Sequence, residues 1–202
     1  MGAGVAGLQA IATARRLGAV VSASDVRPAA KENVESLGAS FVAVQDEEFK
    51  QAETAGGYAK EMSDAYKAKQ SELIASTVAK QDIVICTALI PGRPAPVLVT
   101  EDMIKTMKPG SVLVDLAVEQ GGNCPLSVAD KTIVKNGVSI VGQTNMASKL
   151  PIDASILFAK NLLNFLAPMI QQDQKQLIID KDDEIIKGSL LTQNGEVLQT
   201  FM

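Results

Sequence analysis

Three glycines at positions 2, 4 and 7, a carboxylate at 25 and an arginine at 27 are the residues whose types and spacing point most directly to chemistry. Gly2-Ala3-Gly4-Val5-Ala6-Gly7 is a GxGxxG run that leads straight into a helix-forming stretch, 8–17. In such a turn the first glycine permits a tight bend and the second lets backbone approach a ligand closely. The third lets the helix pack against a strand. The helix N-terminus adds unpaired N–H groups and the positive end of its dipole, which suit a pyrophosphate. Asp25 ends the next strand-like stretch, 19–25, where a carboxylate can accept hydrogen bonds from the hydroxyls of an adenosine ribose. Together these residues predict a dinucleotide-binding turn. A carboxylate at 25 repels a ribose 2′-phosphate, which favours NAD over NADP. Arg27 pulls the other way, since a basic residue near the ribose can serve that phosphate.

Composition closes off several other chemistries. The 202 residues contain no His, which removes His-based triads, His general bases and His metal ligands. The two cysteines, Cys86 and Cys124, lie in different segments, and Cys86 sits in the apolar run Ile83-Val84-Ile85. Buried, reduced thiols and a reducing compartment are expected, with no disulfide. A net charge of −4 offers no basic stripe for nucleic acid. No basic stretch followed by an apolar one suggests a signal peptide. The longest apolar stretch, 156–170, is broken by Lys160, Asn161 and Asn164 and is too short for the ~20 residues a membrane span needs. Membrane association is therefore expected only through a partner.

The elements that must hold the glycine turn alternate along the chain. Helices are expected at 8–17, 28–37, 60–80, 100–107 and 153–166, and strands at 19–25, 40–44, 82–86, 111–116 and 138–141. Pro28 can open its helix at the first turn, and Gly38 stops it. Residues 45–61 show no clear period. Alternating strands and helices predict an α/β, doubly wound (Rossmann-type) parallel sheet. The strand that normally precedes a GxGxxG turn is absent from the sequence, so the sheet is expected to lack its first strand. Residues 1–170 are expected to form the nucleotide-binding domain. Residues 171–202, with a Gln193-Asn194-Gly195 turn signal, are expected to form a tail of short hairpins.

Several longer segments narrow the reading. They are Gly2 to Gly7 with Leu8-Gln9-Ala10, Asp25-Val26-Arg27, and Ala52-Glu53-Thr54-Ala55-Gly56-Gly57-Tyr58-Ala59. To these add the Pro-rich crossing Thr87-Ala88-Leu89-Ile90-Pro91-Gly92-Arg93-Pro94-Ala95-Pro96, then Lys108-Pro109-Gly110-Ser111, and Asp115-Leu116-Ala117-Val118-Glu119 with Gly121-Gly122-Asn123-Cys124-Pro125. Over nearly its whole length the chain resembles the NAD-binding component (domain I, alpha subunit) of the proton-translocating NAD(P) transhydrogenases. Alanine dehydrogenases share the glycine turn and the Pro-rich crossing but differ around Gly56-Gly57-Tyr58 and Gly122-Asn123-Cys124-Pro125. Gln143 and the Met146-Ala147 pair depart from the family pattern without disturbing the match.

The resemblance implies an oxidoreductase subunit that binds NAD(H) and passes hydride to NADP⁺ held on a partner domain. Membrane-spanning subunits would couple that transfer to proton movement. It implies a homodimer when complete, and a cytoplasmic position peripheral to the inner membrane. Carried over position by position, the family's NAD contacts fall at Val5, Asp25, Val26, Arg27, Gly57, Gln70 and Leu89, and Tyr58 matches the tyrosine of a loop that closes over the nucleotide. No catalytic acid or base is implied, because hydride passes directly between two rings. Glu119 matches an acid with a role in substrate chemistry in alanine dehydrogenases, and here a structural or electrostatic role is expected.

The family also places an N-terminal domain and the first strand ahead of the glycine turn. Either another polypeptide supplies them, or the chain is a truncated, inactive remnant or has a misassigned start. An alanine-dehydrogenase-like fragment is a further alternative.

Overall fold

The computed structural model describes residues 1–52, 62–90, 92–171 and 176–199. The chain divides into two compact units, Met1–Thr144 and Asn145–Met202.

The first unit alternates helix and strand as expected. Helix α1 (Val5–Arg16) leads to β1 (Ser22–Ala23), α2 (Ala30–Ser36) to β2 (Ser40–Phe41), and α3 (Glu47–Lys50) and α4 (Asp64–Val78) to β3 (Ile83–Cys86). Then come α5 (Glu101–Thr106), β4 (Val112–Asp115), β5 (Lys131–Lys135) and β6 (Val138–Gly142). Strands β1 and β2 pair in parallel. The second sheet has the order β3-β4-β6-β5, parallel except for the edge strand β5. This is the expected Rossmann-type α/β architecture.

Two residues join the half-sheets. The Met1 nitrogen donates to the Ile85 carbonyl at 2.9 Å, and the Thr87 N–H donates to the Met1 carbonyl at 2.8 Å. On the other side the Gly2 N–H donates to the Ser24 carbonyl at 2.8 Å. Met1 and Gly2 thus lie between β1 and β3, where the first strand of a doubly wound sheet stands.

Packing follows from the alternation of side chains along each strand. Val84, Leu113 and Ile140 lie in register on three adjacent strands and are all buried. They form one core with Ile74 and Val78 of α4 and Met103 and Ile104 of α5. Fully burying side chains of this kind contributes roughly 1.5–3 kcal/mol each. A second cluster joins Ile11 of α1 and Val34 of α2 to Ala23 of β1. Capping fixes several helix starts: the Ser63 hydroxyl accepts from the Tyr66 N–H at 3.2 Å and the Thr100 hydroxyl from the Met103 N–H at 3.3 Å. These leave fewer of the helices' first N–H groups unpaired.

Helix α3 and strand β5 were not expected. The short helix α3 is capped by Asp46, whose carboxylate accepts from the Phe49 N–H at 3.0 Å, and it buries Phe49. Strand β5 turns into β6 through Asn136 and Gly137, both at positive φ as a tight hairpin demands. Lysines at both ends and only Ile133 partly buried gave β5 no apolar signature.

The second unit contains α6 (Pro151–Leu166), the antiparallel pair β7 (Ile170–Gln171) and β8 (Gln176–Leu177), α7 (Glu184–Ser189), and the hairpin β9 (Thr192–Gln193) and β10 (Glu196–Val197). Asn194 and Gly195 form the expected turn with positive φ at both positions. Residues 176–199 thus carry β8, the helix α7 and the β9–β10 hairpin. Asp183 opens that helix, its carboxylate accepting from the N–H groups of Ile185 and Ile186. Among the described residues no helix is long and apolar enough to cross a membrane.

Candidate functional site

The three glycines of the turn meet three different environments. Gly2 has φ +88°, and a Cβ there would come within 2.9 Å of the Ala88 nitrogen and the Thr87 hydroxyl. A Cβ on Gly7 would sit on the carbonyl oxygen of Gly2. Both glycines are thus needed for the turn to close against β3 and α1. Gly4 is different. It is extended, it precedes the first turn of α1, and among the described residues nothing lies within 4 Å of where its Cβ would be.

Among the described residues no side chain caps α1, and its first turn carries no acidic residue. Its early N–H groups have no intrahelical acceptor. The side chain of Val5 is 91% exposed. Among the described residues no side chain stands over the positive end of α1, an arrangement suited to an anion.

Asp25 anchors the other side of the turn. It lies just past β1 and is buried. Its Oδ2 accepts from the Ala3 N–H at 2.7 Å and from Arg27 Nη2 at 3.0 Å. Its Oδ1 accepts from the Arg27 N–H and from Arg27 Nε, both at 2.9 Å. Burial by itself pushes this carboxyl up, but the hydrogen bonds from Arg27 and Ala3 and the guanidinium charge together hold it below the ordinary carboxylate value. The glycine turn and the strand end are thus tied through one ionised side chain.

Three of the other expected contacts fall on described residues. Val26 is half-exposed beside Asp25, and Leu89, in the segment after β3, is also half-exposed. Gln70 sits on α4, where its carbonyl accepts from the Val44 N–H at 2.8 Å and its amide donates to the Ser24 hydroxyl at 3.3 Å. It braces the segments that follow β1 and β2. Gly57 and Tyr58 lie outside the described residues. Glu119 is exposed on a short 3₁₀ turn, Val118–Gln120, beyond β4.

The wall opposite the glycine turn rests on residues given no individual role by the sequence. Asn123 is fully buried: its side-chain amide donates to the carbonyls of Ala88 at 2.9 Å and Pro96 at 2.8 Å, and its carbonyl accepts from the Ala88 N–H at 3.1 Å. Asp115, also fully buried, accepts from the N–H groups of Ala117 and Cys124, both at 3.0 Å, and from the Ser127 hydroxyl at 2.7 Å. Together they bind the ends of β3 and β4 to loop 121–127. Thr87 completes the wall by donating to the Gly2 carbonyl at 2.9 Å. The only signal in the sequence was two polar residues inside otherwise apolar or glycine-rich stretches.

The family model described as alanine dehydrogenase/PNT, C-terminal domain, matches residues 1–200. The chain belongs to this family. It is 60% identical over 197 residues to a Rhodospirillum rubrum protein named as the first portion of NAD(P) transhydrogenase subunit alpha, covering 98% of this chain and 51% of that protein. A protein of the same name from Rickettsia prowazekii is 48% identical over 198 residues, covering 98% of this chain and 50% of its own length. Among solved structures, a transhydrogenase from Sinorhizobium meliloti is similar with a TM-score of 0.79 and 55% identity, over 98% of this chain and 51% of that one. An L-alanine dehydrogenase is similar at TM-score 0.68 and 26% identity, over 98% of this chain and 49% of the other. The chain thus spans about half the length of these relatives.

Proposed function

We propose that this chain is the NAD(H)-binding component of a proton-translocating transhydrogenase. It would work with an NADP-binding domain and membrane-spanning subunits, as a homodimer at the cytoplasmic face of the inner membrane. The observation that carries the reading is the juxtaposition of the uncapped start of α1 with the buried, ionised Asp25, bridged by the Ala3 N–H. The residues present fit a dinucleotide. The N–H groups of Val5 and Ala6 and the helix dipole would hold the pyrophosphate, with Gly4 allowing its approach. Asp25 would orient the adenosine ribose, and the Thr87 to Leu89 segment, fixed by Asn123, would line the opposite wall.

When bound, the nicotinamide supplies the hydride. This chain's task is to hold the ring in place and keep the transfer distance short, so that positioning rather than acid–base chemistry carries the rate. Relatives named for the transhydrogenase alpha subunit, at 60% and 48% identity among others, favour this over an alanine dehydrogenase; one such enzyme from Staphylococcus aureus is 31% identical over 149 residues.

The test is a titration of the chain with NADH followed by the nucleotide's own fluorescence, which no Trp obscures. Saturable binding, lost in Asp25→Ala, is the expected result. A folded chain that leaves NADH emission unchanged at millimolar nucleotide would overturn the reading. NADH oxidation by pyruvate plus ammonia would favour the dehydrogenase instead.

A further inference from the structure

The Asp25 carboxylate has no acceptor site to spare. Its two oxygens offer about four lone-pair directions, and four donors fill them: the N–H groups of Ala3 and Arg27, and the Nε and Nη2 of Arg27. The two backbone donors are fixed by the turn and the strand end. The other two belong to one long side chain. That side chain is 34% exposed while the Asp25 side chain beneath it is 7% exposed, so the guanidinium is the more accessible partner of the pair. A hydroxyl arriving at the carboxylate finds its acceptor sites taken.

We propose that Arg27 determines nucleotide specificity at this site. Its guanidinium must leave the Asp25 oxygens before a ribose diol can take them, and while in place it presents a cation to a 2′-phosphate. This rests on the dinucleotide reading above and deepens it. Asp25 alone would select NAD by repelling the phosphate. With the planar fork of Arg27 across both oxygens, the negative charge is compensated and the diol has to compete for hydrogen bonds already made. NADH therefore binds less tightly, and NADPH is rejected less, than a bare carboxylate would dictate.

The experiment compares NADH and NADPH affinities, by nucleotide fluorescence, for the unaltered chain, Arg27→Ala and Asp25→Asn, with thermal melts to establish that each is folded. Arg27→Ala keeps the backbone N–H at 27 and frees one acceptor site on each oxygen. It should tighten NADH roughly fivefold, the equivalent of the ~1 kcal/mol a partly exposed ion pair contributes, and weaken NADPH. Arg27→Lys keeps the charge without the fork. It serves if the alanine variant does not fold, and should tighten NADH while holding NADPH.

Weaker NADH binding in Arg27→Ala, or an unchanged NADH to NADPH ratio, would overturn the proposal. If Asp25→Asn still weakens NADH in that case, the dinucleotide reading stands without it. If Asp25→Asn binds NADH as the unaltered chain does, the reading of Asp25 falls and the role of Arg27 falls with it.

Discussion

Asn123 holds Ala88 by both backbone groups at once, accepting from its N–H at 3.1 Å and donating to its carbonyl at 2.9 Å. A side-chain amide placed this way substitutes for a neighbouring strand, and it does so where β3 has run past its last pairing with β4. Asn123→Ala would leave the Ala88 and Pro96 groups without these partners. Since a buried polar group without a partner costs about 1–3 kcal/mol, a loss of roughly 2–4 kcal/mol is expected. Asn123→Asp should do no better, because an oxygen would then face the carbonyls of Ala88 and Pro96. Urea unfolding midpoints measure both, and a midpoint unchanged by either substitution would show that the clamp contributes nothing.

The glycines of the turn should separate under substitution by alanine. At Gly7 the new methyl meets the Gly2 backbone, so overpacking of about 1–3 kcal/mol is expected and the melting temperature should fall. At Gly4 φ is −76° and no described residue lies within 4 Å of the added methyl. Gly4→Ala should therefore melt within a degree or two of the unaltered chain, yet bind NADH more weakly, because its methyl projects where the ligand backbone would approach. Equal losses of stability at both positions would contradict this division.

The buried thiols give a pH-dependent readout. Burial pushes the Cys86 thiol up to about 12 from an ordinary 9.0, and burial raises Cys124 too. A raised value means that the folded state keeps a proton the unfolded state releases. The associated stability is complete below pH 9 and declines as pH rises towards 12. Neither thiol should react with an alkylating agent at pH 8 while the chain is folded, and both should react once it is denatured. Rapid labelling of Cys86 in the folded chain would contradict its burial.

The parts of the site legible in sequence are those whose chemistry is local. Gly2, Gly4 and Gly7 announce themselves by spacing, and Asp25 by its place at the end of a strand. The Asn194-Gly195 turn was legible for the same reason. Asn123 and Asp115 were not, because their partners lie elsewhere in the chain, brought close only when β3 and β4 pair. Arg27 showed its charge in the sequence but not its position across both Asp25 oxygens, which depends on the bend after β1. Strand β5 was hidden because an edge strand need bury little, so its sequence resembles a loop.

That edge has a consequence for behaviour at high concentration. Among the described residues no strand pairs with the outer side of β5, and Val134 stands 68% exposed along it. Such a row of backbone groups can recruit a strand from another molecule and begin aggregation. Lys131 and Lys135 lie at its two ends, so two copies that met antiparallel along this edge would bring like charges together. Solubility is thus protected by the very residues that make β5 look unlike a strand, and replacing both with valine would expose the sheet to polymerisation without touching its core.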